Sequence, residues 1–233
     1  MNIKVLASGS SGNCYILSTG DSMIMIEAGI PWKKIQQKLN FKAHEIDFAL
    51  ISHAHGDHAA HLKDVIKAGI DCYMSLPTAE ALGVASHHRA KIIKPMERFV
   101  IGSWAILPFP TEHDCPGSLG FLLANKSGEK LLYATDTFYL RFLFKGLTHI
   151  MVEANYSIDI LRENVRAGSL DAGTKNRIVK SHFSLANVKE FLKANNLSLI
   201  QEIWLLHLSD GNSDAERFRR EIQSLTGKPT YIY

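Results

Sequence analysis

Four side chains of metal-binding type fall within six residues of this sequence: His53, His55, Asp57 and His58, in the stretch Ser52-His53-Ala54-His55-Gly56-Asp57-His58. They follow the apolar run Phe48–Ile51, which reads as a strand. The cluster therefore stands at the C-terminal edge of that strand and leads into a helix. On extended backbone His53 and His55, two apart, point the same way. Gly56 permits a sharp bend, and Asp57 and His58 fall on the turn that follows. Ligands spaced in this way can surround a cavity from one edge of a sheet. Imidazole and carboxylate without thiolate favour a catalytic Zn²⁺-type or Mn²⁺-type centre over a structural cysteine site.

The rest of the chain supplies the sheets. Short apolar or alternating runs bounded by Gly, Ser, Asp or Pro recur from Ile3–Ala7 to Glu202–His207, including Cys14–Ser18, Phe99–Ile101 and His149–Glu153. Ser127-Gly128-Glu129-Lys130 reads as a hairpin turn. Helical spacing appears after Pro31, over His58–Ala68, and at Leu185, Val188, Phe191 and Leu192. Ser213-Asp214-Ala215-Glu216 has the form of a capping box, opening a helix with Phe218, Ile222 and Leu225 on one face. Strands come first and then mix with helices, so two sheets covered by helices, an α+β arrangement, fit better than an alternating parallel sheet. The length of 233 residues and the absence of a composition break give one domain, 1–233.

With 46% hydrophobic and 21% charged residues the chain is neither disordered nor low-complexity. No apolar run approaches a membrane span and no basic-then-apolar leader opens the sequence, so no membrane partner is expected. Three widely spaced cysteines, Cys14, Cys72 and Cys115, argue against a disulfide framework and for a reducing, cytoplasmic setting. A net charge of +3 neither demands nor excludes a nucleic-acid partner.

His53-Ala54-His55-Gly56-Asp57-His58 resembles the HxHxDH signature of the metallo-β-lactamase superfamily, and further motifs follow in order over nearly the whole chain. His113 in PTEHD, Asp136 in YATDT and His207 in LLHLS all come after strand-like runs. The resemblance implies a four-layered αβ/βα sandwich with the metal site at one edge. It implies two divalent metal ions, Zn²⁺ or Mn²⁺, and no organic cofactor. One ion would be held by His53, His55 and His113, the other by Asp57, His58 and His207, with Asp136 bridging. Two cations about 3.5–4 Å apart can share a hydroxide nucleophile. Glu27, in IEAG where the family usually has Asp, is expected to accept a hydrogen bond from a ligand histidine.

Four features narrow the branch. Asp136 stands where classical lactamases bridge with cysteine, which argues against a lactamase. Glu153 in VEANY and His182 in SHFS resemble the extra Glu and His of the tRNA 3′-processing branch, where the pair relays a proton to the leaving oxygen. The opening Ser8-Gly9-Ser10-Ser11-Gly12-Asn13, with the EANY-like and HLS-like segments, is similar to a compact bacterial exonuclease-like group, the YycJ or WalJ group. This loop either presents backbone N–H groups to an anion or simply connects two strands. Residues 161–180 carry Arg162, Arg166, Lys175, Arg177 and Lys180 against Glu163 and Asp171, a net +3 that a phosphate backbone would meet. The chain lacks room for an inserted RNA-processing domain and has no long Gly/Pro-rich arm for tRNA.

The expectation is therefore a metal-dependent phosphodiesterase acting on nucleic acid, with DNA as substrate, in the manner of an exonuclease. Asp57, Glu153 and His182 are its catalytic candidates, Asp57 serving also as a ligand. The competing readings are a thioesterase or small-phosphodiester hydrolase on the same site, and a non-catalytic, metal-stabilised binding module.

Overall fold

The computed structural model of the chain describes residues 1–20 and 22–233. It divides into two compact units, one of residues 1–110 and 115–121, the other of residues 111–114 and 122–233.

The first unit contains β1 (Asn2–Ala7), β2 (Cys14–Ser18), β3 (Met23–Ile26), α1 (Trp32–Lys38), β4 (Ile46–Leu50), α2 (Gly56–Ala59), α3 (Leu62–Lys67), β5 (Asp71–Met74), α4 (Leu76–Ala81), β6 (Ala90–Ile92), β7 (Phe99–Ile101) and β8 (Trp104–Pro110). Strands β1 to β6 form one sheet in sequence order. β1, β2 and β3 run antiparallel as a meander, and β3 to β6 run parallel. The change of direction follows from the connections. A short loop joins antiparallel neighbours, whereas α1, α3 and α4 carry the chain back for each parallel strand. Buried Ile16, Met25, Ala49, Ile51, Leu62, Val65 and Met74 belong to the core of this unit. β7 and β8 pair as an antiparallel hairpin.

β9 (Leu119–Asn125) straddles the two units. The second unit continues with β10 (Lys130–Ala134), β11 (His149–Glu153), α5 (Ile158–Arg166), α6 (Ala172–Ser181), α7 (Leu185–Ala194), β12 (Glu202–Leu206), α8 (Ala215–Thr226) and β13 (Thr230–Ile232). Here β10, β11, β12 and β13 are parallel neighbours, with Glu153 opposite Leu206. β11 is buried along its whole length, as expected of a parallel strand covered on both faces. Phe183, Leu161, Val188, Phe218 and Ile222 are buried helix-side residues of this unit.

Most expected strands form within two residues of their expected bounds, and β2, β7 and β11 match them fully. The expected helix over His58–Ala68 is two pieces, because His61 leaves helical geometry as the N-cap of α3. The capping residue of α8 is Asp214, which accepts from Arg217 N–H at 2.9 Å, and not Ser213. Ser213 Oγ donates to Ser209 O instead, and Leu225 is exposed. Residues 161–180 are largely helical, forming most of α5 and all but the last residue of α6. Among the described residues no helix is long and apolar enough to cross a membrane.

Candidate metal centre

Parallel strands deliver their C-terminal ends to one edge, and in both units the candidate ligands stand there. In the first unit β3 runs into Glu27 and β4 runs into Ser52 and His53, with Ile26 opposite Leu50. His53 is buried, His58 fully so, and His55 is exposed. The His53 ring lies 4.8 Å from that of His55 and 4.3 Å from that of His58. His58 Nε2 is 3.2 Å from Asp57 Oδ2. The four ligands expected of this stretch therefore stand together. Ser52 Oγ meets His53 Nδ1 at 2.8 Å, which fixes the orientation of the His53 ring.

Glu27 is fully buried. Its Oε1 lies 3.7 Å from His58 Nδ1, and its Oε2 accepts from Ser52 N–H at 3.3 Å. It thus lies beside the candidate ligand His58, with the Oε1–Nδ1 separation longer than a hydrogen bond.

The opening Gly/Ser loop braces this group. Asn13 N–H donates to Asp57 O at 2.7 Å, and Asn13 Nδ2 donates to Asp57 Oδ2 at 3.3 Å and to His58 Nε2 at 3.1 Å. Two of the loop's amides are used internally: Gly12 N–H donates to Gly9 O, and Gly9 N–H to Asn13 Oδ1, which helps hold the Asn13 side chain in place. Gly29 makes the close approach workable, since a Cβ there would lie 1.8 Å from Asp57 O. Asn13 carries no metal-ligand signature, so its role was legible only as membership of a Gly/Ser loop.

In the second unit the parallel edge presents Asp136 two residues after β10, Glu153 at the end of β11, and His207 directly after β12. His207 Nδ1–H donates to Glu153 Oε1 at 3.0 Å and lies 3.2 Å from Asp136 Oδ1. His182, the C-cap that follows α6, donates from Nδ1–H to the same Glu153 Oε1 at 2.6 Å. Glu153 Oε2 accepts from Phe183 N–H at 3.0 Å and Thr137 N–H at 3.3 Å. Asp136, Glu153, His182 and His207 each offer one ligand atom, all within 4.8 Å of one another. His113 belongs to this unit too. Its Nε2 is 3.6 Å from Asp136 Oδ2, and its Nδ1 meets Ser181 O at 3.2 Å. Asn155 Nδ2 donates to His207 O at 2.9 Å, a support that the sequence alone did not reveal.

Burial of Glu153 opposes its charge. The adjacent His182, with hydrogen bonds from His182 and His207, overcomes this and holds the carboxyl below the usual range. Burial likewise pulls His182 down, but the Glu153 carboxylate beside it raises its affinity for a proton. A buried carboxylate with a charged imidazole against it is the arrangement a proton donor needs. The donor atoms throughout are imidazole nitrogen and carboxylate oxygen, a set that fits a divalent cation such as Zn²⁺ or Mn²⁺.

Residues 24–195 match the family model described as a Beta-lactamase superfamily domain. The chain belongs to the β-lactamase superfamily. It is a metal-dependent hydrolase of that family. It is 30% identical over 232 residues to a protein named Exodeoxyribonuclease WalJ from Streptococcus pneumoniae serotype 2, with 91% of this chain and 83% of the relative covered. It is 23% identical over 243 residues to Exodeoxyribonuclease YycJ from Bacillus anthracis, covering 97% and 89%. In fold it matches the metallo-β-lactamase fold protein YhfI from Bacillus subtilis with a TM-score of 0.74 at 13% identity, over 99% of this chain and 95% of the other. The fold is the metallo-β-lactamase fold, with its two mixed sheets and their helices.

Proposed function

We propose that this superfamily member is a phosphodiesterase that trims DNA from an end, and that both units work as one hydrolase domain spanning 1–233. Two divalent cations would complete it, one held by His53, His55 and His113, the other by Asp57, His58 and His207, with Asp136 available to both. When bound, such cations supply Lewis acidity to the phosphoryl oxygens and acidify a water.

The observation that carries the reading is the 2.6 Å hydrogen bond from His182 to the fully buried Glu153. Glu153 orients the imidazole through Nδ1 and keeps it charged. His182 then presents Nε2–H to the leaving alkoxide and protonates it. A thioester leaves as a stabilised thiolate and has little need of such a donor, whereas a sugar alkoxide does. The exodeoxyribonuclease names of the relatives support DNA over other phosphodiesters. Arg162, Arg166, Arg177 and Lys180, exposed along α5 and α6, give the phosphate backbone a place to lie. The three free cysteines agree with action in the cytoplasm.

The test is end-labelled single- and double-stranded DNA with Mn²⁺ or Zn²⁺, with Asp57→Ala as control. Metal-dependent shortening from an end, absent in Asp57→Ala, is the expected result. His182→Ala should retain metal but turn over about 10²–10⁴-fold more slowly. Full activity in His182→Ala would sink the proton-donor role, and no cleavage with either metal would sink the DNA substrate.

A further inference from the structure

The second unit contains a cavity of about 450 Å³ between the segment Tyr139–Leu143 and one face of α7, with Phe183, the residue after His182, in its lining. That volume lies within the roughly 300–1,000 Å³ of small-molecule sites. Four of its lining residues are aromatic, and the Glu190 carboxylate lines it as well. Phe183 and Phe191, both buried, stand 6.4 Å apart between ring centres, and Phe142 and Tyr139 line the segment opposite. Tyr139 is 54% exposed, a large apolar ring held at the mouth. The rim carries the Arg141 guanidinium, which pairs with Glu112 and remains largely open to solvent.

This wall is held in place. Thr137 Oγ1 donates to Tyr139 O at 2.8 Å, Asn187 Nδ2 of α7 donates to Phe138 O at 2.8 Å, and Phe144 N–H donates to Asn195 Oδ1 at 2.9 Å. A pinned aromatic platform costs little ordering on binding. It is also continuous with the chemistry. Tyr139 comes three residues after Asp136, Phe183 directly follows His182, and the amides of Thr137 and Phe183 both donate to Glu153. Rings beside a cation, next to a phosphodiester site, suit a base stacked on an aromatic face with its phosphate at the guanidinium.

We infer that this cavity is a nucleobase subsite, with Tyr139 as its stacking face and Arg141 as its phosphate contact, for an unpaired nucleotide beside the scissile bond. The inference rests on the nucleic-acid reading above and adds a preference for frayed or single-stranded ends. It assigns Tyr139 and Arg141 to substrate binding.

The experiment uses the full chain with its metals and a phosphorothioate-linked tetranucleotide containing 2-aminopurine, which resists cleavage. An abasic tetramer of equal charge serves as the comparison, and both are titrated by calorimetry. The 2-aminopurine fluorescence should quench on binding. Tyr139→Ala should weaken the base-containing tetramer by roughly tenfold to a hundredfold and leave the abasic one unchanged, with Tyr139→Phe restoring affinity. Arg141→Ala should weaken both. Equal loss for the two tetramers in Tyr139→Ala, or no loss for either, would overturn the subsite. Discrimination by Tyr139 without any cleavage of ordinary DNA would keep the subsite and remove the nuclease. Cleavage without discrimination would do the reverse.

Discussion

Asn13 is fully buried, and its amide reaches the backbone and carboxylate of Asp57 together with the ring of His58. Truncating it removes the amide donor from Asp57 Oδ2 and His58 Nε2, while the Asn13 backbone N–H still serves Asp57 O. Asn13→Ala should therefore cost about 1–3 kcal/mol of stability and weaken metal affinity about 10–100-fold. Thermal melting and competition with a chelator read the two effects separately. His149 gives a pH prediction remote from the ligands. Burial, only partly offset by Glu202 and Glu129, keeps its proton affinity below the ordinary value. Below about pH 6.5, the unperturbed value, the unfolded chain takes up a proton that the folded chain refuses. Stability of the metal-free protein should fall from pH 7 toward pH 5 as a result. Urea unfolding of His149→Asn should show a shallower fall over that window. The candidate ligands stood out in the sequence because coordination demands rare side chains at close spacing. Asn13 was not, because a small amide in a Gly/Ser loop looks like any turn residue until the loop is folded onto Asp57.

At the scale of elements, α5 and α6 show where sequence periodicity runs out. α6 buries only Ser181 and has no apolar stripe, whereas α5 has Ile158, Leu161 and Val165 at helical spacing but buries only Leu161, a stripe the sequence reading passed over. Their limits are set by single groups instead, such as Asp171, which accepts from Thr174 N–H at 2.9 Å at the start of α6. β13 is three residues long and gave no signal of its own. β11, buried throughout, was read with its full bounds because an uninterrupted apolar run has few alternatives. At α8 the capping-box reading makes Ser213 the cap, and the structure makes it Asp214, one residue later. Asp214→Ala should cost about 0.5–2 kcal/mol, whereas Ser213→Ala should cost less, and paired denaturant melts distinguish them. Arg217 ties the same helix to α5 through Asp159, and Glu221 takes both Arg217 and Lys189 of α7. These pairs are partly exposed and weakened by salt, so together they contribute modestly.

For the whole molecule the decisive quantity is metal content. Protein purified without chelator should contain close to two equivalents by elemental analysis, and chelation should abolish hydrolysis and lower the melting temperature. A ligand present at about a hundred times its dissociation constant stabilises the fold by about 2.7 kcal/mol, and the loss on chelation should be of that order or larger. Asp136→Ala should lose metal and activity together, while His182→Ala should lose activity alone. The overall architecture was legible because the order of strands and the successive motifs restricted the chain to one family of topologies. What escaped was the cavity lined by Tyr139, Phe142, Phe183 and Phe191. Its walls come from segments about forty residues apart, whose rings read in sequence as ordinary core.

Glu27, Asp136 and His207 all hold left-handed backbone, with φ of 66°, 47° and 52°. Such geometry costs a non-glycine residue of order 1–3 kcal/mol. The centre is thus a load that the rest of the fold carries. A population of variants selected for heat resistance alone, with no demand for catalysis, would find relief at these positions by exchanging them for glycine or asparagine. Robustness and activity therefore pull on the same residues in opposite directions, and stabilising substitutions are best sought elsewhere, in the helices and surface loops.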